Sequence, residues 1–127
     1  MRHNGGKKMK IAVTSKGKDL DSEVDPRFGR AANIIIVDTD SFDFETLDNS
    51  ENINAFKGAG IQAGAMVSDK GAKVLLTGFC GPNAFKTLNA AGIKVVNDIT
   101  GTIRDAVKAF NEGKLSFADA ANTDGHW

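Results

Sequence analysis

Two guanidinium groups three residues apart, in Asp25-Pro26-Arg27-Phe28-Gly29-Arg30, are the first candidates for chemistry in this chain. Arginine stays charged at any working pH and presents a planar fork of donors, which suits oxyanions and related anions. A second candidate is Gly78-Phe79-Cys80-Gly81-Pro82-Asn83, a glycine-bracketed turn leading into the start of a helix. Glycine at both ends lets backbone come close to a ligand, and helix-start N–H groups with the helix dipole favour negative charge. In Lys57-Gly58-Ala59-Gly60 a glycine pair opens another helix with an ammonium beside it. Taken singly, each segment is an ordinary turn or cap. Their coincidence points to an anion site. Its charge would come from Arg27, Arg30 and Lys57, and its backbone surface from Gly58, Ala59, Gly60, Gly78, Phe79, Gly81, Pro82 and Asn83, all of which except Pro82 also offer an N–H donor.

Cys80 is the only cysteine. It is either a small core residue, the common fate of an unpaired cysteine, or a thiolate at a helix start that ligates a soft metal. One thiolate cannot hold a metal alone, so the core reading is preferred and Cys80 is the one candidate metal ligand. A single cysteine also rules out an intramolecular disulfide and any all-cysteine cage within one chain.

Several sharper motifs are absent. Gly58, Gly60 and Gly64 miss the dinucleotide spacing, and no G-x-x-x-x-G-K-[ST] phosphate loop exists. No serine sits in G-x-S-x-G, and the two histidines, His3 and His126, lie near the chain ends, far from a preorganised triad. Asp19, Asp21, Glu23 and Asp25 form an acidic cluster without calcium-loop spacing, which favours a solvated loop over a cation site.

The elements that must position these residues follow from periodicity. Lys10–Thr14 is a short buried strand, and residues 15–30 form a long loop of the kind that is more often functional than ornamental. Asn33–Asp38 is a β-branched strand, followed by Phe42–Thr46 with period two, which predicts an antiparallel hairpin. From Ala59 the period becomes helical, with Ala59, Ala63, Met66 and Val67 on one face and Gly71 as the stop. Lys73–Thr77 is a strand. Pro82, Ala84, Leu88 and Gly92 mark a short helix, and Ile93–Val96 a further strand. A last helix carries Ile103, Ala106, Val107 and Phe110, starts at Thr102 with Asp105 as a capping-box variant, and closes at Gly113. Alternating strands and helices require crossovers, hence a parallel sheet. The loops after Thr14, Thr77 and Val96 then share the carboxyl edge, where open α/β sheets bind ligands.

At 127 residues, 41% hydrophobic and 25% charged, the chain suits one globular domain. Sixteen basic residues balance sixteen acidic ones, which argues against a nucleic-acid partner recruited by bulk charge. The longest apolar run is Ile34–Val37, far short of the ~20 residues that span a bilayer, so no membrane partner is expected and the cytoplasm is the expected compartment. Residues 1–8 read as a leader, residues 9–115 as the binding domain and residues 116–127 as a tail.

In order along the chain stand Met9-Lys10-Ile11-Ala12-Val13, Asp25 to Ala31, Gly58-Ala59-Gly60-Ile61-Gln62, Thr77-Gly78 with Gly81 to Phe85, Ala91-Gly92-Ile93 and Gly101-Thr102. From Met9 to about Leu115 this resembles the dinitrogenase iron–molybdenum cofactor biosynthesis family. The resemblance implies an α/β, ribonuclease-H-like fold: a five-stranded mixed sheet flanked by helices, with the second strand antiparallel to the rest. Gly78 to Asn83 and the closing Gly125-His126-Trp127 are most similar to the orange protein branch. Its members hold a molybdenum–copper sulfide cluster non-covalently; an iron–molybdenum cofactor precursor is the other cargo the family implies. Many members have His where this chain has Lys57, which exchanges an imidazole ligand for a charge. The reading is a non-enzymatic carrier of an anionic metal–sulfur cluster, a monomer or weak homodimer. The competing readings are an enzyme acting on a phosphorylated or carboxylated small molecule at the same edge, and a protein-interaction module.

Overall fold

The computed structural model describes residues 9–50 and 59–118. Among them, strands β1 (Lys10–Ser15), β2 (Asn33–Asp38), β3 (Phe44–Asp48), β4 (Val74–Leu76) and β5 (Lys94–Val96) form one sheet. Helices α1 (Ala59–Asp69), α2 (Pro82–Ala90) and α3 (Ile103–Asn111) pack on it. The strand order is β3-β2-β1-β4-β5. β1 pairs in parallel with β4, β4 with β5, and β2 is antiparallel to both β1 and β3. This is the mixed α/β sheet that the family resemblance implies, with β2 alone reversed.

Alternation along the strands divides the core in two. Ile11, Val13, Ile35, Val37, Val74, Leu76 and Val96 face Ile103, Ala106 and Val107 of α3. Ala12, Ile34, Ile36, Leu75 and Val95 face Ala63 and Val67 of α1 and Ala84 and Leu88 of α2. Because both faces of β2 are covered, its sequence is a continuous apolar run rather than an alternating one. Full burial of each Ile or Leu contributes about 1.5–3 kcal/mol, so the sheet is a rigid base for its edge.

Strand ends differ from expectation by one residue in β1, β4 and β5, and by two in β3. The second hairpin strand begins at Phe44 rather than Phe42. Asp38 Oδ1 accepts the N–H groups of Asp40 (2.9 Å) and Ser41 (3.1 Å), and the N–H of Phe42 donates to the Asp38 carbonyl at 2.9 Å. Phe42 takes φ 63° inside this turn. The period-two pattern of Phe42 and Phe44 thus spans a turn residue and a strand residue.

With β1, β4 and β5 parallel, the loops that leave them emerge at one edge of the sheet, and α2 and α3 begin there. Among the described residues no helix is long and apolar enough to cross a membrane. The expected leader, residues 1–8, and the tail from residue 119 onward lie outside the described residues.

Candidate functional site

The loop after β1 and the loop after β4 are joined by backbone pairing. The Phe79 N–H donates to the Pro26 carbonyl at 2.6 Å, and the Phe28 N–H donates to the Phe79 carbonyl at 3.1 Å, making a short parallel bridge between Arg27 and Phe79. Gly78 permits this approach: a Cβ there would stand 2.7 Å from both the Cα and the carbonyl oxygen of Pro26. Any side chain would push the two loops apart. The arginine segment and the glycine-bracketed turn, far apart in sequence, are therefore one unit.

Three buried polar residues hold that unit, and sequence reasoning had passed over all three. Thr14 Oγ1, at the end of β1, donates to the Asp25 carbonyl at 2.6 Å and lies 2.9 Å from Thr77 Oγ1 beside the end of β4. Asn49 is fully buried, and its Nδ2 donates to the carbonyls of Gly29 (3.2 Å) and Ala31 (2.8 Å). It pins the turn carrying Arg27 and Arg30 to the end of β3. Buried polar groups find partners because leaving one bare costs about 1–3 kcal/mol. A threonine ending an apolar strand is a usable signal for such a pair; Asn49 stands in a polar stretch and offers none.

α2 starts beside this unit. Its N-cap is Gly81, which has no side chain to cap with, and its first residue, Pro82, has no N–H. The Phe85 N–H makes the first i to i−4 bond, to the Gly81 carbonyl at 2.9 Å. The N–H groups of Asn83 and Ala84 are thus those a helix start leaves without an intrahelical acceptor. Pro82 and Asn83 are exposed, and no acidic residue stands in the first turn.

Gly60 has a different neighbour from the one its sequence context suggests. A Cβ on Gly60 would lie 2.8 Å from the Cβ of Ala84, and one on Gly64 3.3 Å from Thr87 Cγ2. The Gly60-x-x-x-Gly64 spacing lets α1 lie closely against α2, which sets Ala59 and Gly60 beside the start of α2. Lys57 and Gly58 lie outside the described residues.

The charged and soft groups divide clearly. The Arg27 side chain is 47% exposed, with its Nε 3.8 Å from Oδ1 of the buried Asp25, and Arg30 is half-buried. Phe79 is half-buried between two buried residues, Gly78 and Cys80. Cys80 is fully buried in the core between the sheet and α1 with α2. Burial pushes its thiol up from 9.0 to about 12, against the stabilised thiolate that a metal ligand requires. Among the described residues no group of three or more His, Cys, Asp or Glu is placed to hold a metal ion. The acidic loop is spent on other contacts: Asp21 binds Arg104 at 3.0 Å, which holds its carboxyl below the usual range, and Glu23 lies 3.7 Å from Lys16.

Such a donor set suits an anion better than a caged cation. The model of dinitrogenase iron-molybdenum cofactor proteins matches residues 8–113. The chain belongs to that family. It is similar to the orange protein from Desulfovibrio gigas, solved in its apo form, with 46% identity, 91% of this chain and 97% of that one covered, and a TM-score of 0.89. A NifB-like Thermotoga protein shares 38% identity over 92% of this chain and 99% of its own, with a TM-score of 0.78. An uncharacterized protein of Methanocaldococcus jannaschii is 29% identical over 86% of this chain and 91% of its own length.

Proposed function

We propose that this protein binds an anionic metal–sulfur cluster at the carboxyl edge of its sheet and carries it without covalent attachment. The cargo class is a molybdenum–copper sulfide cluster or an iron–molybdenum cofactor precursor. Membership of the cofactor family and likeness to the orange protein support cofactor binding in general. The observation that carries the anionic form is the start of α2, without a capping side chain, led into by a turn that Gly78 locks against the loop carrying the exposed Arg27. Oriented N–H groups at a helix start stabilise negative charge, and a guanidinium adds charge-assisted bonds. With the one thiol buried and protonated, the protein supplies charge and N–H donors while inorganic sulfide supplies the metal ligands. That division favours binding over bond-making chemistry.

The test is a titration of the apo protein with tetrathiomolybdate and copper, followed by the visible charge-transfer bands. Arg27→Ala with Arg30→Ala is expected to weaken uptake at least tenfold, since one charge-assisted contact is worth about 1.5–3 kcal/mol. Unchanged affinity in a folded double variant would remove the arginines from the site. A colourless protein that turns over a phosphorylated or carboxylated substrate would favour an enzyme instead.

A further inference from the structure

Asp25 is a carboxylate buried inside this positively charged edge, and its side chain is only 6% exposed. Among the described residues both of its side-chain contacts are to Arg27: the backbone N–H donates to Oδ1 at 3.1 Å, and Nε lies 3.8 Å from the same oxygen. Its backbone is held on both sides by Thr14, through N–H to carbonyl at 2.9 Å and carbonyl to Oγ1 at 2.6 Å. The carboxylate is therefore fixed beside the guanidinium. It meets the guanidinium at Nε, on a side chain that is half exposed.

A fixed negative charge here works against anion binding. It offsets part of the pull of Arg27 on an arriving anion, and it repels that anion through a medium less polarizable than water. A site selected only for tight retention gains nothing from it; a carrier, which must give up its cargo, does. Resting on the anion-site reading above, we infer that Asp25 is a positioning residue that orients Arg27 by its Nε edge and, by its charge, holds affinity low enough for release.

Asp25→Asn tests this, because the amide keeps the size and the Oδ1 acceptor for the Arg27 N–H while removing the charge. Titrated with tetrathiomolybdate alone and read by visible absorption, the variant should bind about tenfold tighter and release more slowly. A packing defect would lower affinity instead. In an Arg27→Gln background the same change should have a smaller effect, because the orienting part of the role is lost and only the direct repulsion remains. Asp25→Ser, whose hydroxyl takes the same turn bond, replaces the Asn variant if that one folds poorly. Unchanged or weaker binding in the neutral variants, with Arg27→Gln still weakening uptake, would overturn the role of Asp25 and leave the anion site standing. No effect of Arg27→Gln would overturn both.

Discussion

Among the described residues the N-terminus of α3 is filled by the protein's own groups, whereas that of α2, at the same edge of the sheet, is not. At α3 the Thr102 hydroxyl accepts the Asp105 N–H at 3.1 Å, the Ser22 carbonyl accepts from Ile103 at 3.0 Å, and the Leu20 carbonyl accepts from Arg104 at 2.8 Å. Asp105 adds a negative charge in the first turn. At α2 the N-cap is a glycine and the first turn has neither a capping side chain nor an acid. One loop, residues 16–24, closes the first helix start; the stretch that follows it, residues 25–30, pairs by backbone with the turn that leads into the second. A helix start completed from within contributes stability, and one left incomplete can contribute binding.

The contrast breaks most severely at Gly78. Gly78→Ala forces a Cβ against the backbone of Pro26, which cannot rotate away, and should cost about 2–3 kcal/mol in chemical denaturation together with anion uptake. Cys80→Ser asks whether the open end also works through sulfur. The visible bands of a reconstituted cluster should persist and stability should fall by about 1–2 kcal/mol, from placing a more polar hydroxyl in the apolar core; bleached bands would make Cys80 a ligand. The same thiol has a pH signature. Its proton is held to about 12 in the folded state against 9.0 ordinarily. Its contribution to stability is therefore complete below pH 9 and is lost as pH rises toward about 12, a slope that Cys80→Ala should lack.

Thr102→Ala should cost about 1 kcal/mol of stability by removing the α3 cap, with anion affinity unmoved. Reduced affinity would mean that the two helix starts are not separate in function. The smallest effect, and the most direct, is expected of Gly81→Ser. The N-cap backbone, at φ −74° and ψ 168°, accepts any L-residue, and a serine hydroxyl would bond the N–H groups that α2 now leaves open. Stability should rise by a few tenths of a kcal/mol, while tetrathiomolybdate binding weakens because the cap competes for the same donors.

Local signals made much of the α3 side legible beforehand. Thr102 and Asp105 announce a cap, the stripe Ile103, Ala106, Val107 and Phe110 announces a face, and both stand where the pattern puts them. The alternation of strands and helices likewise foretold the shared edge of β1, β4 and β5. What escaped were relations between distant residues. Gly60 has the composition of a ligand-facing loop, yet Ala84 occupies the space its missing Cβ leaves, so its chemistry is helix packing. No pattern along the chain links Arg27 to Phe79, because their bridge depends on two loops meeting after the sheet has formed. Asn49 is a buried clamp with the sequence surroundings of a solvated turn.

The Thr14 and Thr77 hydroxyls illustrate how hydrogen counting can assign direction. Each hydroxyl has one hydrogen to give, and that of Thr14 is already given to the Asp25 carbonyl. The 2.9 Å contact between the two oxygens must then be donated by Thr77. The result is a one-way relay from the end of β4, through the end of β1, to the backbone of the arginine loop, its bond dipoles aligned head to tail. The two threonines are consequently unequal. Valine at position 77 would remove one bond from the end of the relay, whereas valine at position 14 would interrupt it in the middle, stranding an acceptor on one side and a donor on the other.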